Sequence, residues 1–186
     1  SVWLNISGEG VVNLTSNAAF AGAPDIRDYV TRAASPVNIG DNFGQRLRGM
    51  ITAPVTGEYT FWISSDNRSE LWLGTSASRY SKRLIAYLGS WSAVENWDVS
   101  PTQKSATIIL QAGQKYWIEA LHKEGGGGDH VEIAWQYPGQ DRQVIPGQYL
   151  CAPGVDPSDL NDNNLPDSWE AAYGVTGGEY GDPDGD

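Results

Sequence analysis

A single cysteine, Cys151, excludes any disulfide within the chain, so the 186 residues rely on a buried core, and on whatever they bind, for stability. A lone cysteine can still pair with another part of a longer protein, which leaves an oxidising compartment open. Histidine is almost as scarce, with two in the chain. No H-E-x-x-H, G-x-S-x-G or phosphate-loop spacing occurs, so the signatures of a zinc protease, a serine hydrolase and a nucleotide-binding enzyme are missing. Basic residues are outnumbered, 12 Lys and Arg against 23 Asp and Glu. Such a chain has little with which to neutralise phosphates, which argues against nucleic acid and anionic membrane as partners. No apolar run approaches the roughly 18 residues of a spanning helix, so insertion into a membrane by that route is not expected.

What the chain has in excess is glycine (22), tryptophan (8) and tyrosine (9), the composition of aromatic strands joined by glycine-rich turns. Period-two alternation follows. Leu47 to Ile51 reads as a strand ending before Pro54; Tyr59, Phe61 and Ile63 share one face of the next, and Leu71 and Leu73 of another. Further strands carry Ala106, Ile108 and Leu110, then Tyr116, Ile118 and Ala120, then Val131, Ile133 and Trp135, with a short one at Val144-Ile145. Residues 1–45, with short apolar runs such as Val11-Val12-Asn13-Leu14, read as irregular loops with an early edge strand, and the one expected helix spans about Ser168 to Tyr173. The fold class is therefore all-β, an antiparallel β-sandwich with a short C-terminal extension. Trp72 and Trp135 lie within strands and are expected in the core.

The net charge of −11 is unevenly spread. Residues 156–186 hold nine acids and no Lys or Arg, leaving only −2 on the remainder. This divides the chain into a sandwich over residues 1–153 and an acidic linker over 154–186. Within the linker, Asp159 to Glu170 has the spacing of a twelve-residue calcium loop. Side-chain oxygens fall at Asp159, Asn161, Asn163, Asp167 and Glu170, and Leu165 would offer its carbonyl. Asn164 stands where glycine usually makes the turn, and asparagine is the best substitute there. An all-oxygen donor set favours Ca2+ over zinc. The competing reading is a solvated acidic linker. The segment resembles thrombospondin type-three calcium repeats, and Asp182 to Asp186 reads as the start of a second repeat, so a larger multidomain protein is expected.

Two loops between strands could carry chemistry: Ser64 to Glu70, with Asp66-Asn67 at its tip, and His122 to His130, with four consecutive glycines before Asp129. Taken alone, a glycine run is an ordinary hairpin and Asp-Asn an ordinary turn. Together they could also offer hard oxygens to a cation, with glycine letting backbone carbonyls approach. Gly57-Glu58-Tyr59-Thr60-Phe61-Trp62-Ile63 leading into Asp66-Asn67-Arg68-Ser69-Glu70-Leu71-Trp72-Leu73 resembles the protective-antigen fourteen-kilodalton (PA14) domain family. Gly113 to Leu121, the glycine loop, Ala134-Trp135, Asp41 to Arg46 and Val144 to Gly147 extend the resemblance over about residues 10–150. The resemblance implies a PA14-type sandwich whose sugar-binding members hold calcium with two adjacent aspartates, often joined by a cis peptide, and with ligands from the second loop. By position, the implied metal residues are Asp66, Asn67, Gly127 and Asp129, with Asn67 standing where the family has a second aspartate. The implied ligand-binding residues are Asp66, Asn67, Arg68, Asp129 and His130, the histidine as a hydrogen-bonding partner of a sugar hydroxyl.

Trp91 and Trp97 lie in the loop-like stretch Gly89 to Pro101, either bordering a glycan site or plugging the end of the sandwich; Trp91 is the better candidate for stacking on a sugar ring. The expected function is a non-catalytic, calcium-dependent carbohydrate-binding module of a secreted or cell-surface, bacterial-looking protein, with glycans and its own neighbouring domains as partners. Alternatives are a spacer or adhesion module with a calcium-stiffened linker and no sugar binding, and, last, a glycoside hydrolase built on carboxylates such as Asp66, Glu124 and Asp129.

Overall fold

The computed structural model describes residues 1–153 and Ala172. The expected calcium loop at Asp159 to Glu170 and most of the expected helix at Ser168 to Tyr173 lie outside the described residues. Ten strands are present: β1 (Val2–Trp3), β2 (Phe43–Thr52), β3 (Gly57–Asp66), β4 (Arg68–Gly74), β5 (Lys82–Leu88), β6 (Ile108–Leu110), β7 (Lys115–Glu124), β8 (His130–Tyr137), β9 (Gln140–Val144) and β10 (Leu150–Cys151). One sheet runs β1-β2-β7-β4-β5 with β10 also paired to β2, and the other runs β6-β3-β8-β9. All pairings between these strands are antiparallel.

The alternation builds the core. Tyr59, Phe61 and Ile63 of β3 meet Val131, Ile133 and Trp135 of β8 within one sheet, and all turn toward Leu71, Leu73, Ile118 and Ala120 of the other. Trp62, of opposite parity, points outward onto Trp97 and Ala134. Trp97, 7% exposed, is thus a core residue on the outer face of the smaller sheet. Trp72 is half-buried, with its indole N–H donating to Glu70 at 3.1 Å.

The early edge strand expected within residues 1–45 is β1, whereas Val11 to Leu14 is the body of a short helix the sequence did not suggest, α1 (Val11–Thr15), which buries Val11 and Leu14 against Leu121, Trp3, Ile6 and Phe20. The i, i+3 spacing of Val11 and Leu14 is one helical face, and Asn13 Oδ1 accepts from the backbone N–H of Gly10 at 2.9 Å to fix the start. Gly44 makes the packing feasible: a Cβ there would lie 2.3 Å from a Leu14 methyl. The edge strand β5 carried no clear sequence signal, because Leu84 and Tyr87 remain substantially exposed and blur the alternation. Ala106 falls outside β6, which begins at Ile108.

The register places several strand ends on one rim. β3 of the smaller sheet ends at Asp66 opposite His130, and after Asn67 the chain enters the larger sheet as β4, with Arg68 opposite Lys123. β7 ends at Glu124 opposite Phe43, and the glycine loop returns the chain to the smaller sheet at His130. Two crossings between the sheets therefore meet at one end of the sandwich.

Candidate functional site

The shorter crossing is locked from below. The Asp66–Asn67 peptide is cis. The Asp66 carbonyl oxygen lies 2.7 Å from His122 Nε2, and Gln45 Nε2 lies 2.8 Å from His122 Nδ1. A carbonyl can only accept, so Nε2 carries the proton and Nδ1 receives the Gln45 amide. Burial lowers the His122 pKa to about 3, which keeps the ring neutral. Ser65 Oγ donates to the Asn67 carbonyl at 2.6 Å and lies 2.7 Å from Ser69 Oγ. Ser92 N–H donates to the Ser65 carbonyl at 2.8 Å, which fixes the neighbouring Trp91 beside the crossing.

The Asn67 side chain joins the two loops. Its Nδ2 donates to Asp66 Oδ1 at 2.9 Å, and its Oδ1 accepts from the Gly125 N–H at 2.9 Å. The glycine loop is tied in turn to a third segment, residues 35–42. Asn42 N–H donates to the Gly125 carbonyl at 3.2 Å, and Asn38 N–H to the Asp129 carbonyl at 3.0 Å. Gly127 N–H donates to Asp41 Oδ1 at 3.1 Å, and Gly127 has φ +113°, a conformation that suits glycine. Gly40 N–H donates to Asp129 Oδ2 at 3.0 Å. At Gly128 a Cβ would stand 3.7 Å from Asp66 Oδ2 and 3.5 Å from Asn38 Oδ1, so this loop leans directly over the Asp66 carboxylate.

The site is electrostatically unsettled. Asp129 is 2% exposed, and its Oδ1 has no hydrogen-bond partner among the described residues. Glu124 is 0% exposed, and the backbone N–H groups of Asn67 and Gly126 face its carboxylate. Burial raises the pKa of Asp66, which the charge of Asp129 raises further. Burial likewise raises the pKa of Asp129, with Asp41 adding to it. Glu124 is pushed up to about 7, by burial first and by the Asp66 charge second. Crowded, desolvated carboxylates of this kind are relieved by a proton or a cation. Among the described residues no three of His, Cys, Asp or Glu already stand at ligating distances by themselves, so any cation would also draw on amide and backbone oxygens.

Asp66, Asn67, Gly127 and Asp129, named from sequence, are thus brought together on one rim. His130 begins β8, is 4% exposed, and sets its Nε2 3.3 Å from Ser64 Oγ. Arg68 stands 3.7 Å from Glu9. Trp91 is 61% exposed. Asp159, Asn161, Asn163, Leu165, Asp167 and Glu170 lie outside the described residues. Sequence reasoning left Asn38, Asp41 and the buried pair of Gln45 and His122 without a role. Only the polar Asp41-Asn42 pair before β2 hinted at the third segment. A cavity of about 1000 Å³ is bordered by Tyr29, Arg48, Tyr80, Trp117 and Leu150; none of Asp66, Asn67, Glu124 or Asp129 lines it.

Comparison with known proteins follows the same geometry. The PA14 domain family model matches residues 14–148. A mouse N-acetyl-beta-glucosaminyl-glycoprotein 4-beta-N-acetylgalactosaminyltransferase 1 is 32% identical over 151 residues, which is 77% of this chain and 14% of that protein. Mouse fibrocystin is 35% identical over 103 residues, 49% of this chain and 2% of that protein. The chain therefore spans a small fraction of either relative. Among solved structures, an anti-sigma factor domain-containing protein from Clostridium clariflavum superposes with a TM-score of 0.54 at 26% identity, covering 70% of this chain and 43% of that one. The PA14 sugar-binding domain from an RTX adhesin gives 0.60 at 12% identity, covering 82% and 96%.

Proposed function

The chain belongs to the PA14 domain family, and from that footing we propose that it is a non-catalytic, calcium-dependent carbohydrate-binding module of a larger secreted or cell-surface protein. The observation that carries the reading is the meeting of the two sheet crossings, which sets the Asp66 carboxylate beneath Gly128 while Asp129 keeps a buried oxygen without a partner. Burying a carboxylate with one oxygen unpartnered is costly, and a cation shared with Asp66 removes the cost. The donors fit calcium, being oxygen throughout: Asp66, Asp129, the Asn67 amide and the backbone of the glycine loop. Calcium, when bound, supplies positive charge and open positions for sugar hydroxyls.

The protein's own residues do the remaining work. His122 and Gln45 hold the Asp66 backbone, the glycines keep the approach clear, and exposed Trp91 offers a rigid face for the apolar side of a sugar ring. The glycan reading is supported by the fold shared with a sugar-binding adhesin domain. The transferase activity in a relative's name is not carried over, since the chain covers 14% of that protein. The acidic segment from Asp159 to Glu170 forms, in this reading, a separate calcium-binding linker to a following domain. Asp66→Ala tests the assignment: calcium-dependent glycan binding is lost while the melting temperature in chelator is retained, and unchanged glycan binding would remove this rim from the account.

One observation favours a second reading. Asn67 already satisfies both ends of its amide, with Asp66 and with the Gly125 N–H, so it works as a strut between loops without any ion. A spacer or protein-docking module would use it in that way. Chelation would then lower thermal stability without releasing any glycan.

A further inference from the structure

Away from the rim, the cavity of about 1000 Å³ is lined by charge of the opposite sign. Arg27, Arg46, Arg48 and Arg79 border it, and Asp28 is the only acid in its described lining. Four of the chain's 12 Lys and Arg thus gather on one surface, although the net charge outside residues 156–186 is only −2. Arg46 lies over the rings of Trp3 and Phe20, 5.3 and 5.4 Å from their centroids, and is buried in the wall. Arg48 and Arg79 are half-buried and Arg27 is exposed. Trp117 borders the same space at 4% exposure, and its indole N–H has no acceptor among the described residues. An indole N–H can only donate, and a guanidinium pairs with a carboxylate through two parallel hydrogen bonds, so this lining suits carboxylates.

The chain's own course leads to it. β10 pairs with β2 in antiparallel register, Leu150 opposite Ile51 and Cys151 opposite Met50, so the chain leaves β10 running along β2 from Met50 toward Arg48. β1 covers the same edge of β2 only at Gly44 and Gln45, and no described strand lies beside Leu47 to Gly49 there. Leu150, Cys151, Ala152 and Pro153 all border the cavity. Residues 154–186 then hold nine acids and no Lys or Arg. Asp159, Asp167 and Glu170 belong to the expected calcium loop, whereas Asp156, Asp162, Glu179, Asp182, Asp184 and Asp186 do not. We propose that the arginine-lined cavity is the docking site of this acidic segment, residues 154–186, whose carboxylates pair with Arg27, Arg48 and Arg79. Tethering at Pro153 makes the docking intramolecular, which raises the effective concentration of the acids far above that of a free peptide. Exposed ion pairs are individually weak and screened by salt, so the contact depends on several at once. Docking sets the direction in which the chain leaves the sandwich, and it is independent of the calcium and glycan reading of the rim.

The test uses the full chain in chelator, so that ion binding plays no part. Carbodiimide joins an ammonium to a carboxylate in contact with it, and the described lining of the cavity holds arginines but no lysine. Arg48→Lys and Arg79→Lys are each treated with it, digested and read by mass spectrometry. Arg142→Lys, whose parent side chain pairs with Asp98 at 3.0 Å, shows that the reagent works. The expected result is a link within one chain from position 48 or 79 to an acid of residues 154–186, lost in about 1 M salt, where charges are screened within ~3 Å. A glutamate-specific protease gives the second readout, at Glu170 and Glu179. Arg48→Ala combined with Arg79→Ala is expected to be cut there about two- to thirtyfold faster than the parent, the effect of losing two exposed ion pairs when cleavage follows the undocked population. High salt should erase that difference. Links that join only separate chains would overturn docking within the chain and make a second copy the source of the acids. No link to the segment while the Arg142→Lys control reacts, or equal cleavage of variant and parent, would overturn the proposal and leave the cavity to an external carboxylate ligand.

Discussion

The His122 imidazole donates its Nε2–H to the backbone carbonyl of Asp66 across 2.7 Å, and both groups lie beneath the rim where the two sheets exchange chain. The histidine thus belongs to the scaffold of the site, with Gln45 fixing its tautomer from the other side. His122→Ala leaves the carbonyl and the Gln45 amide without partners, so it is expected to destabilise the fold by about 1–3 kcal/mol. It should also weaken calcium binding more than a core truncation of equal cost would. Urea unfolding beside a calcium titration checks the pair; a loss of stability with unchanged calcium affinity would confine His122 to packing.

The two loop tryptophans separate by burial. Trp97 is 7% exposed against Trp62, whereas Trp91 is 61% exposed. Trp97→Ala is expected to cost about 3–5 kcal/mol in unfolding free energy, the range for a buried aromatic. Trp91→Ala should change stability by less than about 0.5 kcal/mol while lowering glycan affinity. Equal stability losses in both would contradict the assignment.

Stability in chelator should depend on pH through Glu124 with a defined sign. Its pKa in the folded chain is raised to about 7 from 4.5, so the folded state binds the proton more tightly than the unfolded state. The stabilisation is complete below about pH 4.5 and is lost as pH rises through about 7. His122, held neutral with a pKa near 3, acts oppositely below its ordinary value of 6.5. The difference between parent and Glu124→Gln isolates the glutamate: the variant's advantage in melting temperature should grow from about pH 5 to about pH 7.5. A flat difference would show that Glu124 finds a compensating partner.

The sandwich was legible because β3 and β8 alternate cleanly, and a strand buried on one face leaves that pattern in sequence. Helix α1 was not, since Val11-Val12-Asn13-Leu14 is too short for helix and strand periods to diverge. Nor was β5, an edge strand with large apolar side chains left partly in solvent. At the site, Asp66, Asn67 and Asp129 could be placed because they sit beside recognisable strands. Asn38 and Asp41 could not, because they reach the rim only through the path of residues 35–42 across the sandwich.

The central claim is that this rim binds glycans through calcium, and the most direct measurement is a glycan array probed with the whole chain in calcium and again in chelator. The account predicts hits in calcium that vanish on chelation and in Asp66→Ala. Binding that persists in chelator, or no binding in either condition while calcium still raises the melting temperature, would contradict it and leave a calcium-stiffened interaction module in its place.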